Sequence, residues 1–370
     1  MLRVFQVTLD AVLLVTIAVM YWLMPALTRR DLLFGVTVPA NARETPLGQS
    51  IIRRFRLAVL ALAALSVLAL ALLALAAPGA WWERGWTALL VLVPLALLSL
   101  PYLWAYRASR RLRQVAESSG MPPVGEPEPL AELRPRRYSD VIPLFWEALP
   151  LALIAATALY LATTYATAPA IIPTHFDAAG KPNAYALKTI DSYFLLVWFQ
   201  LTLYALLTVI SVLLVRAKAQ AGRAGARFRQ VWIRYLFGMK TLLLLLFGGI
   251  AASVARTESS GSAASIWWVL PATLVFVAVI LIAGTMLAIR TGQGGARLGN
   301  PAETASDRMD DRYWKAGAIY VNPNDPSIFV ERRFGVGWTI NFGNPKAVIA
   351  LVAIIAAAVL LPLLPRLLSK

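Results

Sequence analysis

The 370-residue chain is 59% hydrophobic and 15% charged, with a mean hydropathy of +0.66. Soluble domains carry roughly a quarter charged residues, and here the apolar residues gather into runs long enough to span a bilayer, so the chain reads as an all-α polytopic membrane protein. It has no cysteine, which excludes disulfides, thiolate metal sites and cysteine nucleophiles. The net charge of +16 is explained by loop arginines that set orientation and meet anionic lipid, and no nucleic acid is expected as a partner.

Eight spans are predicted, at about 4–27, 57–77, 86–106, 143–167, 192–215, 233–255, 266–289 and 347–367. The first contains Asp10 and ends in Pro25 followed by Arg29-Arg30, which reads as a retained helix rather than a cleaved signal. Lys and Arg then alternate between loops. The loops after spans 1, 3, 5 and 7 hold 27 of them; the other loops and the termini hold seven, and Lys240 lies inside a helix. Since positive residues stay cytoplasmic, both termini are expected outside.

By this count, residues 1–289 hold seven spans with an outer hairpin at 168–191, 290–346 form a cytoplasmic loop, and 347–370 carry the eighth span. The first cytoplasmic loop contains a strand-like run, Leu33-Phe-Gly-Val-Thr-Val-Pro39. The loop after span 3 has a Pro-rich acidic stretch at 121–129 that reads as a semi-rigid linker. In the last loop, 314–321, 327–333 and 336–342 are rich in aromatic and β-branched residues around the turn Asn322-Pro-Asn-Asp-Pro326. A small three-stranded β-meander is expected there. It is too small to be stable alone, so it should pack on the membrane domain or on a partner, with Trp314, Tyr320, Phe334 and Trp338 as candidate partner-binding residues.

Two polar clusters stand out. Ile172-Pro-Thr-His-Phe-Asp-Ala-Ala-Gly-Lys-Pro-Asn183 holds the only histidine. A turn is expected at Asp177–Gly180, with a second reversal at Lys181-Pro182-Asn183. His175 and Asp177 would share a face of an extended segment. A hairpin held by its own hydrogen bonds, a ligand contact through Thr174, His175, Phe176, Asp177, Lys181 and Asn183, and a catalytic His/Asp pair are all compatible with these residues. One histidine without cysteine makes no metal site, and no cofactor is expected. The second cluster is intramembrane: Asp10, Glu147 and Lys240. Ionisable groups in lipid are costly and usually paired or functional. Glu147 and Lys240 fall at similar depth, so they either pair or face one polar cavity; otherwise Lys240 snorkels and Glu147 sits at the headgroups. Gly248-Gly249 and Pro271 read as helix-packing or kink positions. Gly292-Gln-Gly294 lacks the strand and third glycine of a phosphate fingerprint.

Ile172-Pro-Thr-His-Phe176, with Gly180 and Pro182, resembles the signature of SdpI-like bacterial membrane proteins. Gly35-Val-Thr-Val-Pro39 looks like that family's glycine–aliphatic–arginine–x–proline motif, with Thr37 in place of the arginine. The segment from Arg312 to Phe342 is similar to an accessory module found on such proteins. The resemblance implies an inner-membrane protein that senses, or gives immunity to, an extracellular peptide toxin and signals to a cytoplasmic regulator. A transporter or export factor with a polar path near Asp10, Glu147 and Lys240 is the second expectation, and a membrane enzyme using the outer His/Asp hairpin the third.

Overall fold

The computed structural model describes residues 2–39, 41–76, 87–119, 137–176, 180–217, 223–260, 268–299 and 311–360. Its helices, in chain order, are α1 (Leu2–Leu27), α2 (Pro46–Ala76), α3 (Thr87–Leu97), α4 (Ser99–Ser118), α5 (Ala148–Tyr165), α6 (Leu195–Arg216), α7 (Arg223–Ser260), α8 (Val269–Thr291) and α9 (Pro345–Leu360). The strands form four separate antiparallel pairs: β1 (Leu32–Leu33) with β2 (Val36–Thr37), β3 (Ile171–Phe176) with β4 (Pro182–Leu187), β5 (Trp314–Lys315) with β6 (Ile319–Tyr320), and β7 (Phe329–Glu331) with β8 (Trp338–Ile340).

Six helical segments are long and apolar enough to cross a membrane: Asp10–Leu27, Pro46–Leu73, Leu144–Tyr165, Leu195–Arg216, Ala224–Arg256 and Val269–Gly295. Only 6–22% of each apolar window is buried inside the protein, and side chains such as Leu65, Leu75, Leu159 and Val275 stand exposed. Water would penalise so much apolar surface, whereas hydrocarbon solvates it and helices satisfy their own backbone there. The chain is a multi-pass membrane protein. The expected span at 86–106 takes another form. It is split between α3, with Pro94 inside, and α4, which continues to Ser118 with Pro101 in its first turn. Proline removes a backbone donor and tolerates only a first-turn position well, so the chain restarts its helix here. The last expected span is described only as far as Leu360, in α9.

Two compact units divide the chain. The first comprises 1–131, 218–226 and 288–344. Its core gathers Ala18 from α1, Phe55 and Val59 from α2, and Tyr102, Ala105 and Leu112 from α4 around Phe34, Val36 and Val38. The segment expected as one strand is a tight hairpin: Phe34 and Gly35 both have positive φ, 47° and 80°. Paired left-handed residues are what a two-residue hairpin turn requires. The strain at Phe34 is offset by burial, since its ring is 2% exposed and meets Phe55 edge-on at 4.6 Å. A Cβ at Gly35 would lie 2.2 Å from the Gly317 carbonyl oxygen. Gly35→Ala is therefore expected to destabilise this unit by more than the roughly 1 kcal/mol that a left-handed alanine costs, read as a lowered thermal midpoint. At the end of α1, Pro25 can donate no backbone hydrogen bond, and Arg43 caps the carbonyls of the last turn. Its guanidinium donates to Pro25 O, to Thr28 O at 3.1 Å and to Arg29 O at 2.7 Å.

The expected three-stranded meander is instead two hairpins. Ala316 and Gly317 adopt φ 49° and 70°, so the chain reverses inside the first aromatic run rather than after it. A single parallel bridge, Tyr320 to Asn341, joins the two hairpins. Asn341 is fully buried and ties the Asn322–Pro326 turn together. Its side-chain amide donates to Asn322 O at 2.9 Å and Asp325 O at 2.8 Å, and its carbonyl oxygen accepts from Asn322 N at 3.0 Å.

The second unit comprises 132–217, 227–287 and 345–370. Ile154 and Leu161 of α5, Val197 of α6, and Leu244, Ala251 and Ala255 of α7 form its core, joined by Ile172 of β3 and Tyr193. Close approach of α7 needs Gly248, where a Cβ would fall 2.8 Å from Thr157 Oγ1. The glycine is a packing residue, as small residues are at helix contacts in membranes.

Candidate functional site

The β3–β4 hairpin lies on the second unit's core and closes against α5 and α6. Lys188 anchors its far end by donating to Tyr165 O at 3.1 Å and Ala168 O at 2.5 Å, the carbonyls left open where α5 ends. Thr189 and Ser192 form a capping box that starts the helical turn Ile190–Tyr193. The strand register shifts twice, between Pro173 and His175 and between His175 and Phe176, while successive side chains of the strand still point to opposite faces.

The six residues proposed for ligand contact consequently separate. Thr174 and Phe176 line an apolar pocket of about 150 Å³, together with Ile172, Leu161 of α5, and Ile250 and Val254 of α7. His175 is exposed on the other face, its Nδ1 hydrogen-bonded to the side-chain oxygen of Asn183. The expected second reversal at Lys181–Asn183 is absent: Pro182 and Asn183 already belong to β4. Asp177, the other member of the proposed His/Asp face, lies outside the described residues. Among the described residues no group of His, Cys, Asp or Glu could hold a metal ion.

The intramembrane charges divide as well. Lys240 of α7 is 2% exposed, and its Nζ lies 2.8 and 2.7 Å from the two Glu147 carboxylate oxygens and 3.0 Å from Thr208 Oγ1. The Tyr138 hydroxyl donates to Glu147 Oε1 at 2.6 Å, and the ammonium faces the Tyr204 ring at 4.6 Å. A buried ion pair tolerates loss of water only when its remaining lone pairs and protons are met, and these three neighbours meet them. Asp10 belongs to the first unit, and its Oδ2 is buried with no hydrogen-bond partner among the described residues. Glu147 and Lys240 stand out in the sequence as charges in apolar runs, whereas Tyr138, Tyr204 and Thr208 do not. The available signal was the spacing Gln200, Tyr204, Thr208 in the apolar helix α6: steps of four that set polar groups along one face.

Tyr138 also carries a pH consequence. Burial, followed by the hydrogen bond to Glu147, raises its phenol above the ordinary value of 10.0. A group raised in the folded state contributes stability that is complete below its unfolded pKa and lost as pH climbs through the folded one. Stability is thus expected to fall above about pH 10, and Tyr138→Phe should flatten that fall while costing about 1 kcal/mol at neutral pH. Unfolding midpoints measured across alkaline pH would show whether the slope belongs to Tyr138.

In the first unit, the four residues proposed to bind a partner are mostly turned into their own chain. Trp314 and Tyr320 are 3% and 2% exposed and pack with Val330. Phe334 inserts among Tyr21, Phe34, Phe55 and Tyr102, its ring centroid 4.4 Å from that of Tyr102, and Trp338 is half-buried. Burial of these aromatics attaches the hairpins to the helices. Polar residues not singled out from the sequence complete the attachment. Asp311 accepts from Thr37 Oγ1 at 2.8 Å, from Arg113 at 2.7 Å and from Arg333. Gln293 accepts from Arg29 N at 3.1 Å and donates to Arg332 O. Burial lowers the Arg333 pKa, and Asp311 opposes that shift.

Two family comparisons match parts of the chain. A domain of unknown function (DUF1648) matches residues 152–200, which run from α5 through the hairpin into α6. A family of unknown function (DUF5808) matches 323–348, the β7–β8 hairpin and the start of α9. No curated protein and no solved structure matches the chain. The two matched segments and the apolar helices together fit an uncharacterised membrane family.

Proposed function

We propose that this chain is an SdpI-like receptor of the bacterial inner membrane, with eight spans and with the β3–β4 hairpin and both termini outside. In this reading the hairpin takes an apolar group of an extracellular peptide and passes the event to a cytoplasmic regulator. The observation that carries it is the apolar pocket beneath Thr174 and Phe176. At about 150 Å³ it is smaller than the roughly 300–1,000 Å³ of pockets that enclose a whole ligand. It suits one apolar side chain or a short acyl segment, with exposed His175 and Asn183 beside it for polar contacts. Binding that favours one arrangement of the hairpin over another would shift a population, and α5 and α6 flank the pocket to carry that change.

Phe176→Ala and Val254→Trp, which widen and fill the pocket, test this directly. Each variant would be checked for membrane level and then challenged with amphipathic peptide toxins. Both should lose protection and peptide binding while His175→Ala retains the fold. Unchanged protection in the filled-pocket variant would remove the reading.

The Glu147–Lys240 pair favours a transporter as a second reading, because paired charges in lipid often mark a substrate or proton path. Proteoliposomes carrying Lys240→Gln would show altered ion or proton flux under that reading and none under the first.

A further inference from the structure

The β3–β4 hairpin has a second face, turned away from the pocket. Ile171 stands opposite Leu187 and Pro173 opposite Tyr185, and directly opposed residues share one face of a strand pair. His175 and Asn183, joined by their hydrogen bond, continue this face toward the turn. Ile172, Thr174 and Phe176 alternate with it and lie on the core and its pocket. The second face is apolar at its base and polar toward its turn. Ile171, Tyr185 and Leu187, with Ile190 of the helical turn that follows, are 58–71% exposed.

Two observations set what this apolar base meets. A hairpin standing in water places polar side chains on its open face, and four large apolar ones side by side there would be penalised. The base also sits where two spans end. Lys188 donates to Tyr165 O and Ala168 O, which fixes the base at the end of the span Leu144–Tyr165, and Ile190 lies just before the span Leu195–Arg216. Those spans expose Leu159 and Trp198 to hydrocarbon, and the base of the hairpin continues their apolar surface. Tyrosine is at home in the layer where acyl chains give way to headgroups. From Leu187 to Asn183 the strand covers about 13 Å, enough to leave an interfacial layer roughly 5–8 Å deep. The change from apolar to polar along one face thus follows the change from lipid to water.

We infer that the face made by Ile171, Tyr185, Leu187 and Ile190 is a membrane-contact surface, seated in the interfacial layer of the bilayer with lipid as its partner. The hairpin is then held between protein on one face and lipid on the other, whatever the pocket binds. The chain has no cysteine, so Leu187→Cys, Ile190→Cys and Asn183→Cys each give the full chain one nitrobenzoxadiazole label. The labelled chains are reconstituted in phosphatidylcholine vesicles with iodide on both sides, and an unchanged thermal midpoint in detergent checks each fold. Either of the first two labels suffices if the other variant lowers the midpoint. The labels replacing Leu187 and Ile190 are expected to be quenched by nitroxide-bearing lipid. They should also be about tenfold or more less sensitive to iodide than the label replacing Asn183, because moving an anion out of water is costly. Iodide quenching equal to that at Asn183 overturns the seat. Protection from iodide without quenching by the lipid nitroxide overturns it as well, since a protein neighbour such as a second copy of the chain would then cover this face.

Discussion

Lys240→Met is expected to destabilise the second unit by about 3 kcal/mol, toward the lower end of what breaking a buried pair costs. The substitution leaves the Glu147 carboxylate, 8% exposed, with only neutral phenol donors, Tyr138 and Tyr204, and no counter-ion. An interhelical hydrogen bond in a membrane averages only about 0.6 kcal/mol, so the expected loss exceeds what one missing bond explains. The excess is the penalty of a buried charge without its counter-ion. A Glu147→Gln/Lys240→Met double variant removes that charge and should recover most of the stability, because replacing both members of a buried pair is often near neutral. Thermal midpoints of the two single variants and the double in detergent form the cycle. Additive losses would mean that the two side chains do not act as a pair.

Phe334→Ala should release the tail from the first unit. Its ring meets four aromatic rings contributed by α1, the β1–β2 turn, α2 and α4, and aromatic truncation in a core costs about 3–5 kcal/mol. Phe334 is only partly buried, which puts the expected loss near 3 kcal/mol. Proteolysis should then cut the 311–344 segment much sooner than in the native chain. Phe334→Leu keeps most of the apolar contact and should behave between the two. Ile319→Ala, at a side chain 46% exposed, should change stability by no more than about 0.5 kcal/mol. Equal protease sensitivity of Phe334→Ala and the native chain would show that the Asp311 and Gln293 hydrogen bonds suffice to hold the tail.

Membrane class was legible from local pattern, because a bilayer imposes a length and an apolarity that any window of sequence displays. The hairpin at 168–191 was legible for a similar reason: prolines and a glycine punctuate two short extended runs. Strand number in the tail was not, since Ala316 gives no sign of a left-handed conformation and the aromatic run reads as continuous. Its φ of 49° is tolerated next to Gly317, where the backbone of Gly35 packs close, and that contact joins positions far apart in the chain.

The sequence by itself determined that apolar helices traverse a bilayer, that Glu147 and Lys240 needed an explanation, and that 172–183 is a polar turn between helices. These follow from composition, spacing and the cost of charge in hydrocarbon. Tertiary structure decided what each of those residues faces. It joined Glu147 to Lys240 with Thr208 and Tyr138 completing the pair, while Asp10 went to the other unit. It turned the strand face of Thr174 and Phe176 toward a pocket and the alternate face of His175 away, by packing one face of the hairpin on the core. It also drew Phe334 into a cluster of aromatic rings. The reason is common to all three: side-chain direction and long-range pairing are set by packing between segments distant in sequence, and local pattern does not encode them.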